Sequence, residues 1–175
     1  MPGAPAAKSR RRAALGSVVF LVIAPGVVAG LVPWLLTGWD AHDPAWARAA
    51  VRVVGAVLVA LGAAALLHAF ARFVVEGLGT PAPVAPTERL VIGGPYRFVR
   101  NPMYIAVGAA IVGQALLLGR AVLLAYACAF GVMVAAFVHW YEEPTLAGRF
   151  GEQYEAYRRA VPGWWPRRTP WNGAS

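Results

Sequence analysis

Four apolar stretches, held apart by short polar segments, limit what this chain can fold into. The first runs without a charge from Ala13 to Leu36. The second has an uncharged centre from Val53 to Leu67, the third spans Pro102–Leu118 and the fourth Ala121–Tyr141. A helix rises ~1.5 Å per residue and a bilayer core is ~30 Å thick, so about 20 apolar residues can cross it. The last two stretches are near the short limit and are joined only by Gly119-Arg120. They read as an antiparallel hairpin whose open ends meet. Hydrophobic residues make up 59% of the 175, against roughly 45–50% in soluble domains. The expected fold is all-α: a polytopic membrane bundle of about four transmembrane helices with a C-terminal amphipathic cytosolic helix.

Charge refines the picture. The net charge is +8, but the basic residues flank apolar stretches, which points to membrane orientation and away from nucleic acid. With four spans, Lys8, Arg10, Arg11, Arg12, Arg72, Arg89, Arg97, Arg100, Arg149, Arg158, Arg159, Arg167 and Arg168 share one side, and only Arg48, Arg52 and Arg120 the other. The positive-inside rule then makes both termini and the long loop cytosolic. The single cysteine, Cys128, excludes an internal disulfide and a Cys-rich metal site. Lys8-Ser-Arg-Arg-Arg12 resembles the start of a signal peptide. The apolar run behind it exceeds the ~7–15 residues of a signal core, so an uncleaved first helix is expected.

In chain order, residues 1–12 are a basic, disordered tail and 13–76 hold helices one and two. Pro25 and Pro33 should kink or break helix one, and Gly26 and Gly30 allow a close helix contact, within the chain or between copies. Asp43-Pro44 suits the start of helix two, expected over Ala45–Val75. His68, Arg72 and Glu76 follow on one face of its far end. Residues 77–101 form a long loop punctuated by Gly79, Pro81, Pro83 and Pro86, with Leu90-Val-Ile92 as a short extended piece and Gly93-Gly94-Pro95 as a turn. Beyond the hairpin, Leu146, Phe150, Tyr154, Tyr157 and Val161 give residues 145–161 one apolar face. This helix either lies at the interface or folds under the bundle.

Two polar clusters border the hairpin: Gly94-Pro-Tyr-Arg-Phe-Val-Arg-Asn-Pro-Met-Tyr104 before it and His139-Trp-Tyr-Glu-Glu-Pro144 after it. Charge at membrane depth is costly and marks function. Glu142 and Glu143 sit where a helix is expected to end, a position the macrodipole disfavours for acids. A cation should offset them: Arg97, Arg100 or a bound ligand. A plain Arg–Glu clasp fixing the hairpin is the alternative. His139-x-x-Glu142-Glu143 lacks the second histidine of a zinc motif, so no metal is expected. No phosphate-binding glycine motif opens a helix.

The Gly94–Tyr104 run, the hairpin, Tyr141-Glu-Glu-Pro144 and Phe150-Gly-Glu-Gln-Tyr-Glu-Ala-Tyr-Arg-Arg-Ala-Val-Pro162 together resemble the integral-membrane methyltransferases of the isoprenylcysteine carboxyl methyltransferase and phospholipid N-methyltransferase superfamily. The resemblance covers about Thr80–Pro166 and makes residues 77–175 the catalytic part. It implies S-adenosylmethionine as methyl donor, held by Tyr96, Arg97, Asn101, Pro102, Met103, Glu142 and Glu143. Arg100, Tyr104 or His139 would orient the acceptor, a lipid or other apolar small molecule drawn from the bilayer. Asn101 stands where prenylcysteine enzymes usually carry histidine, which brings the chain closer to the phospholipid-methylating branch and to many bacterial members of unassigned substrate. Two other readings stay open: a nicotinamide-dependent membrane reductase, since membrane sterol reductases look similar over this portion, and a non-catalytic membrane subunit. The acceptor atom and the oligomeric state are not legible.

Overall fold

The computed structural model describes residues 23–77 and 89–173. The tail 1–12, the expected first turns of helix one (13–22) and the Gly79, Pro81, Pro83 and Pro86 punctuation lie outside the described residues.

Helix α1, Ile23–Thr37, continues past Pro33 as one helix. It does so through a π turn over Val27–Leu31, in which the Val32 N–H reaches back to the Val27 carbonyl. Proline has no N–H to donate, so the carbonyls of Val28 and Ala29 lose their natural partner at position 33. Neighbouring helices answer both: Tyr126 Oη donates to Val28 O at 2.9 Å, and Gln114 Nε2 to Ala29 O at 2.8 Å. Gly38 ends α1 in the left-handed conformation.

Helix α2 spans Ala49–Gly77, so it begins later than the expected Ala45. Asp43 is not its cap. Pro44 and Ala47 close a separate turn, and Asp43 pairs with the Arg52 guanidinium, which also donates to His42 O at 2.9 Å. Helix α3, Pro102–Leu118, has the expected bounds, because Pro102 fits the first turn and Gly119 the left-handed cap. A side chain at Gly119 would also strike the His42 carbonyl. His42 N donates to Leu118 O at 2.8 Å and Arg120 Nε to Asp40 O at 2.9 Å. These bonds close one end of the bundle.

Helix α4 departs from expectation. It does not stop at Tyr141 but runs Ala121–Phe150, again through a π turn, Val138–Glu142, followed two residues later by Pro144. The expected helix over 145–161 is therefore divided. Its first half completes α4, Gly151 breaks the chain at φ +51°, and α5 covers Glu152–Ala160.

Helices α2 and α3 meet along a glycine seam. A Cβ on Gly113 would stand 2.7 Å from Gly55 O, and one on Gly62 2.8 Å from Ala106 O. Such backbone contact is the means by which apolar helices associate where no hydrophobic force separates them from lipid. Among the described residues nothing lies within 4 Å of a Cβ added at Gly26 or Gly30, so neither takes part in packing with them. The core between α3 and α4 is Val107, Ile111, Phe130, Val134 and Val138, with Val28 and Leu66 against it.

The outer surface is apolar. Val53, Val54, Val57 and Leu61 of α2 and Val132 and Met133 of α4 are exposed. Exposed Trp34, Trp39 and Trp46 mark one end of the bundle, and Trp140, Tyr141, Trp164 and Trp165 the other, as interfacial belts do. The stretches Ala49–Arg72 and Ala121–Phe150 are long and apolar enough to cross a membrane; α1 and α3 are shorter. The architecture is that of a helical membrane bundle, with no strand among the described residues.

Candidate active site

The site is built on the turn before α3. Gly94 has φ +54°, and a Cβ there would meet Arg72 Cγ at 2.7 Å, so any larger residue would be strained and would displace the Arg72 side chain. A 3₁₀ turn over Gly94–Arg97 follows, leading through Asn101 into Pro102. The C-terminal segment runs alongside. Arg100 N donates to Pro162 O at 3.0 Å, Asn101 Nδ2 to Gly163 O at 3.2 Å, Arg167 N to Phe98 O at 3.0 Å and Trp171 N to Arg97 O at 2.9 Å. Upstream, Leu90 and Ile92 pack on Tyr154, Tyr157 and Val161, whereas Val91 turns the other way to Ala69 and Tyr96. This alternation is that of an extended strand without a ladder. It buries the apolar stripe of α5 against the turn, so α5 folds under the bundle. Tyr157 Oη donates to Tyr96 O at 2.7 Å.

The two adjacent carboxylates have different destinations. Glu143 accepts from Arg100 Nη1 at 2.7 Å and faces Arg158 Nη2 at 3.4 Å, with Arg100 and Glu143 each 14% exposed. Arg100 Nη1 also donates to Tyr154 Oη at 3.1 Å. Burial pushes the Tyr154 phenol upward, against the opposing pull of the Arg100 guanidinium. Glu142 accepts a hydrogen bond from Tyr104 Oη at 3.1 Å, and among the described residues no cation pairs with it. The Nε–H of Arg100 is buried without a partner among the described residues. A helix end is no longer the reason for the carboxylates' position, since α4 continues past them.

Glu142 and Arg100 both border a cavity. Its polar wall comes from the turn and the start of α3: Tyr96, Arg100, Asn101, Pro102, Met103 and Tyr104. Its apolar walls are Val107 and Phe130, Leu66 and Phe70 of α2, and Ala24, Pro25 and Val28 of α1. The expected residues Tyr96, Asn101, Pro102, Met103, Tyr104, Arg100 and Glu142 are thus brought together. Three others are not. Glu143 stands behind the wall in its clasp with Arg100. Arg97 is turned to the C-terminal segment, its Nε donating to Trp171 O at 2.9 Å and its guanidinium to Asn172. His139 is exposed beside Trp140, because Val138 occupies the buried position of the π turn. His68 is exposed as well, and the Glu76 side chain lies outside the described residues. The contributions of α1 and α2 carried no sequence signal beyond apolarity. Tyr154 was visible only as part of a stripe.

The phospholipid methyltransferase family model matches residues 50–153, from the start of α2 to the start of α5. No curated protein and no solved structure matches the chain significantly. The matched stretch is more than half of the chain and contains the turn, the hairpin and both carboxylates, and the chain belongs to the phospholipid methyltransferase family.

Proposed function

We propose that the protein transfers a methyl group from S-adenosylmethionine to a lipid-like or prenylated acceptor in the cavity bordered by α1, α2, α3 and α4. The observation that carries this reading is Glu142. A largely buried carboxylate with no cation among the described residues is unstable unless something offsets it, and this one borders a cavity that Arg100 also lines. That pair suits a ligand bearing both positive charge and a carboxylate, as S-adenosylmethionine does. Bound there, the cofactor supplies an electrophilic methyl group on a sulfonium.

The chain's own residues bind and place. Glu142, oriented by Tyr104, attracts the positive charge. Phe70 and Tyr96 offer aromatic surface to the same charge. Arg100, fixed by Glu143 and Tyr154 through Nη1, presents its guanidinium charge to a carboxylate. The 101–103 backbone holds the rest of the ligand. The apolar walls of α1 and α2 accept an acyl or prenyl tail and exclude water. Positioning of this kind can lower a barrier by ~7–11 kcal/mol. The reading includes four spans, with both termini and the cavity on the cytosolic side. In support, Arg48, Arg52 and Arg120 lie at the closed end, and Arg97, Arg100 and Arg158 at the cavity end.

The test is thermal stability of the detergent-purified protein, titrated with S-adenosylmethionine and with its demethylated product. Binding should stabilise by about 2.7 kcal/mol at a hundredfold excess over Kd. Glu142→Gln should fold and lose that gain. A folded wild type that neither compound stabilises would overturn the reading and make a reduced nicotinamide the next ligand.

A further inference from the structure

We infer that the Pro162–Arg168 segment is a docking surface for anionic phospholipid headgroups and that it ties the cavity turn to the leaflet on which it rests. Trp164 is 37% exposed and Trp165 82%. Neither belongs to the cluster below them, whereas Trp171, a few residues on, packs against Tyr157 at 5.3 Å. Two neighbouring exposed indoles outside the spans have the amphipathic character that favours the headgroup layer.

The surrounding charge selects the headgroup. From Arg158 to Arg168 there are four arginines and no acid. Arg158 is engaged with Glu143 and Glu155, and Arg167 Nη1 donates to Ala160 O. Arg159 and Arg168 are exposed, and no protein acceptor holds them among the described residues. Indoles between outward arginines complement a surface that is apolar below and anionic above. A zwitterionic surface satisfies the indoles alone.

The segment is also bonded to the cavity turn. Pro162 O and Gly163 O, immediately before the indoles, accept from Arg100 N and Asn101 Nδ2. Headgroups that hold Trp164 and Trp165 therefore hold the carbonyls that brace Arg100 and Asn101. This inference does not depend on methyl transfer.

The experiment places the full chain in phosphatidylcholine nanodiscs and titrates in brominated phosphatidylglycerol. Brominated phosphatidylcholine serves as the comparison, and tryptophan quenching is read without cofactor. Wild type should be half-quenched at a much lower fraction of the anionic lipid than of the zwitterionic one. Arg159→Gln and Arg168→Gln keep both indoles and should each raise the half-quenching fraction of the anionic lipid roughly fivefold. Trp164→Leu/Trp165→Leu should remove the headgroup-dependent part of the quenching. Equal quenching by the two lipids in wild type overturns the inference, as does an unchanged anionic titration in both arginine variants. A Trp variant that changes oligomeric mass, with no headgroup dependence in wild type, also overturns it and makes the indoles a protein contact.

Discussion

Helices α1 and α4 share one device and use it for opposite ends. Each contains a π turn, Val27–Leu31 in one and Val138–Glu142 in the other, and each has a proline two residues later, Pro33 and Pro144. In both, the wide turn carries a helix past a residue that would otherwise kink or end it. In α1 the freed carbonyls face the bundle, and Gln114 and Tyr126 answer them. In α4 the proline would have bonded His139 or Trp140, whose side chains are exposed at the polar end of the bundle. There the turn keeps Val138 in the core, points Glu142 at the cavity and Glu143 at Arg100. The first π turn is stapled and structural. The second receives no such staple from the described residues and arranges charge.

The sharpest way to break this comparison is to neutralise the carboxylates one at a time. Glu143→Gln removes the anion from a clasp largely buried on both sides and leaves Arg100 with a neutral partner. A loss of about 3 kcal/mol is expected, read as a fall in the unfolding midpoint of the ligand-free protein. Glu142→Gln keeps an acceptor for Tyr104 and relieves an unpaired buried charge, so ligand-free stability should be unchanged or slightly higher, as is common at functional sites. Equal losses in the two variants would mean that the turn does not separate their roles.

A smaller effect is expected at the stapled turn. Gln114→Leu and Tyr126→Phe each remove one donor from a carbonyl of α1. Interhelical hydrogen bonds in membranes are worth ~0.6 kcal/mol on average and up to ~1.7, so the double variant should lose about 1–2 kcal/mol. Val28 lines the cavity, so on the proposed reading affinity for S-adenosylmethionine should fall with it, whereas binding that is indifferent to the double variant would show that α1 is not a working wall. Unfolding and ligand titration on the same sample separate the two losses.

These two turns also divide what the sequence made legible from what it did not. Helix α3 was legible to the residue, because Pro102 and Gly119 act locally, through φ alone. The cavity turn was legible because two arginines, an asparagine and two tyrosines before an apolar run have few other uses. The π turns were not, since a wide turn has no composition of its own and Pro144 reads equally well as a stop. That one omission accounts for several departures together: the early end given to α4, the macrodipole reading of the carboxylates and the inward placement of His139; the division of 145–161 belongs instead to Gly151. Adjacency conceals direction in the same way. Glu142 and Glu143, or Arg97 and Arg100, are interchangeable in a string of letters. Which of each pair faces the cavity is decided by the C-terminal segment and the turn's hydrogen bonds, contacts that join residues far apart in the chain.

The smallest effect tests whether Pro33 is the reason for the α1 staples. Pro33→Ala restores an N–H opposite carbonyls that already hold Gln114 and Tyr126. A carbonyl has two lone pairs and can accept a second donor, so the new bond should add roughly 0.5–1 kcal/mol. Loss of proline's restraint on the unfolded chain removes a similar amount, and Pro33 is fully buried, so the space it leaves offsets a little more. Alone, the substitution should move stability by less than about 1 kcal/mol. Combined with Gln114→Leu/Tyr126→Phe it should behave differently, because the alanine N–H then supplies the only donor for a carbonyl that has lost its own. A favourable coupling of about 0.5–1 kcal/mol is expected from the cycle. Strict additivity would mean that Gln114 and Tyr126 bind α1 for reasons unrelated to the proline, and the likeness between the two turns would then be one of geometry alone.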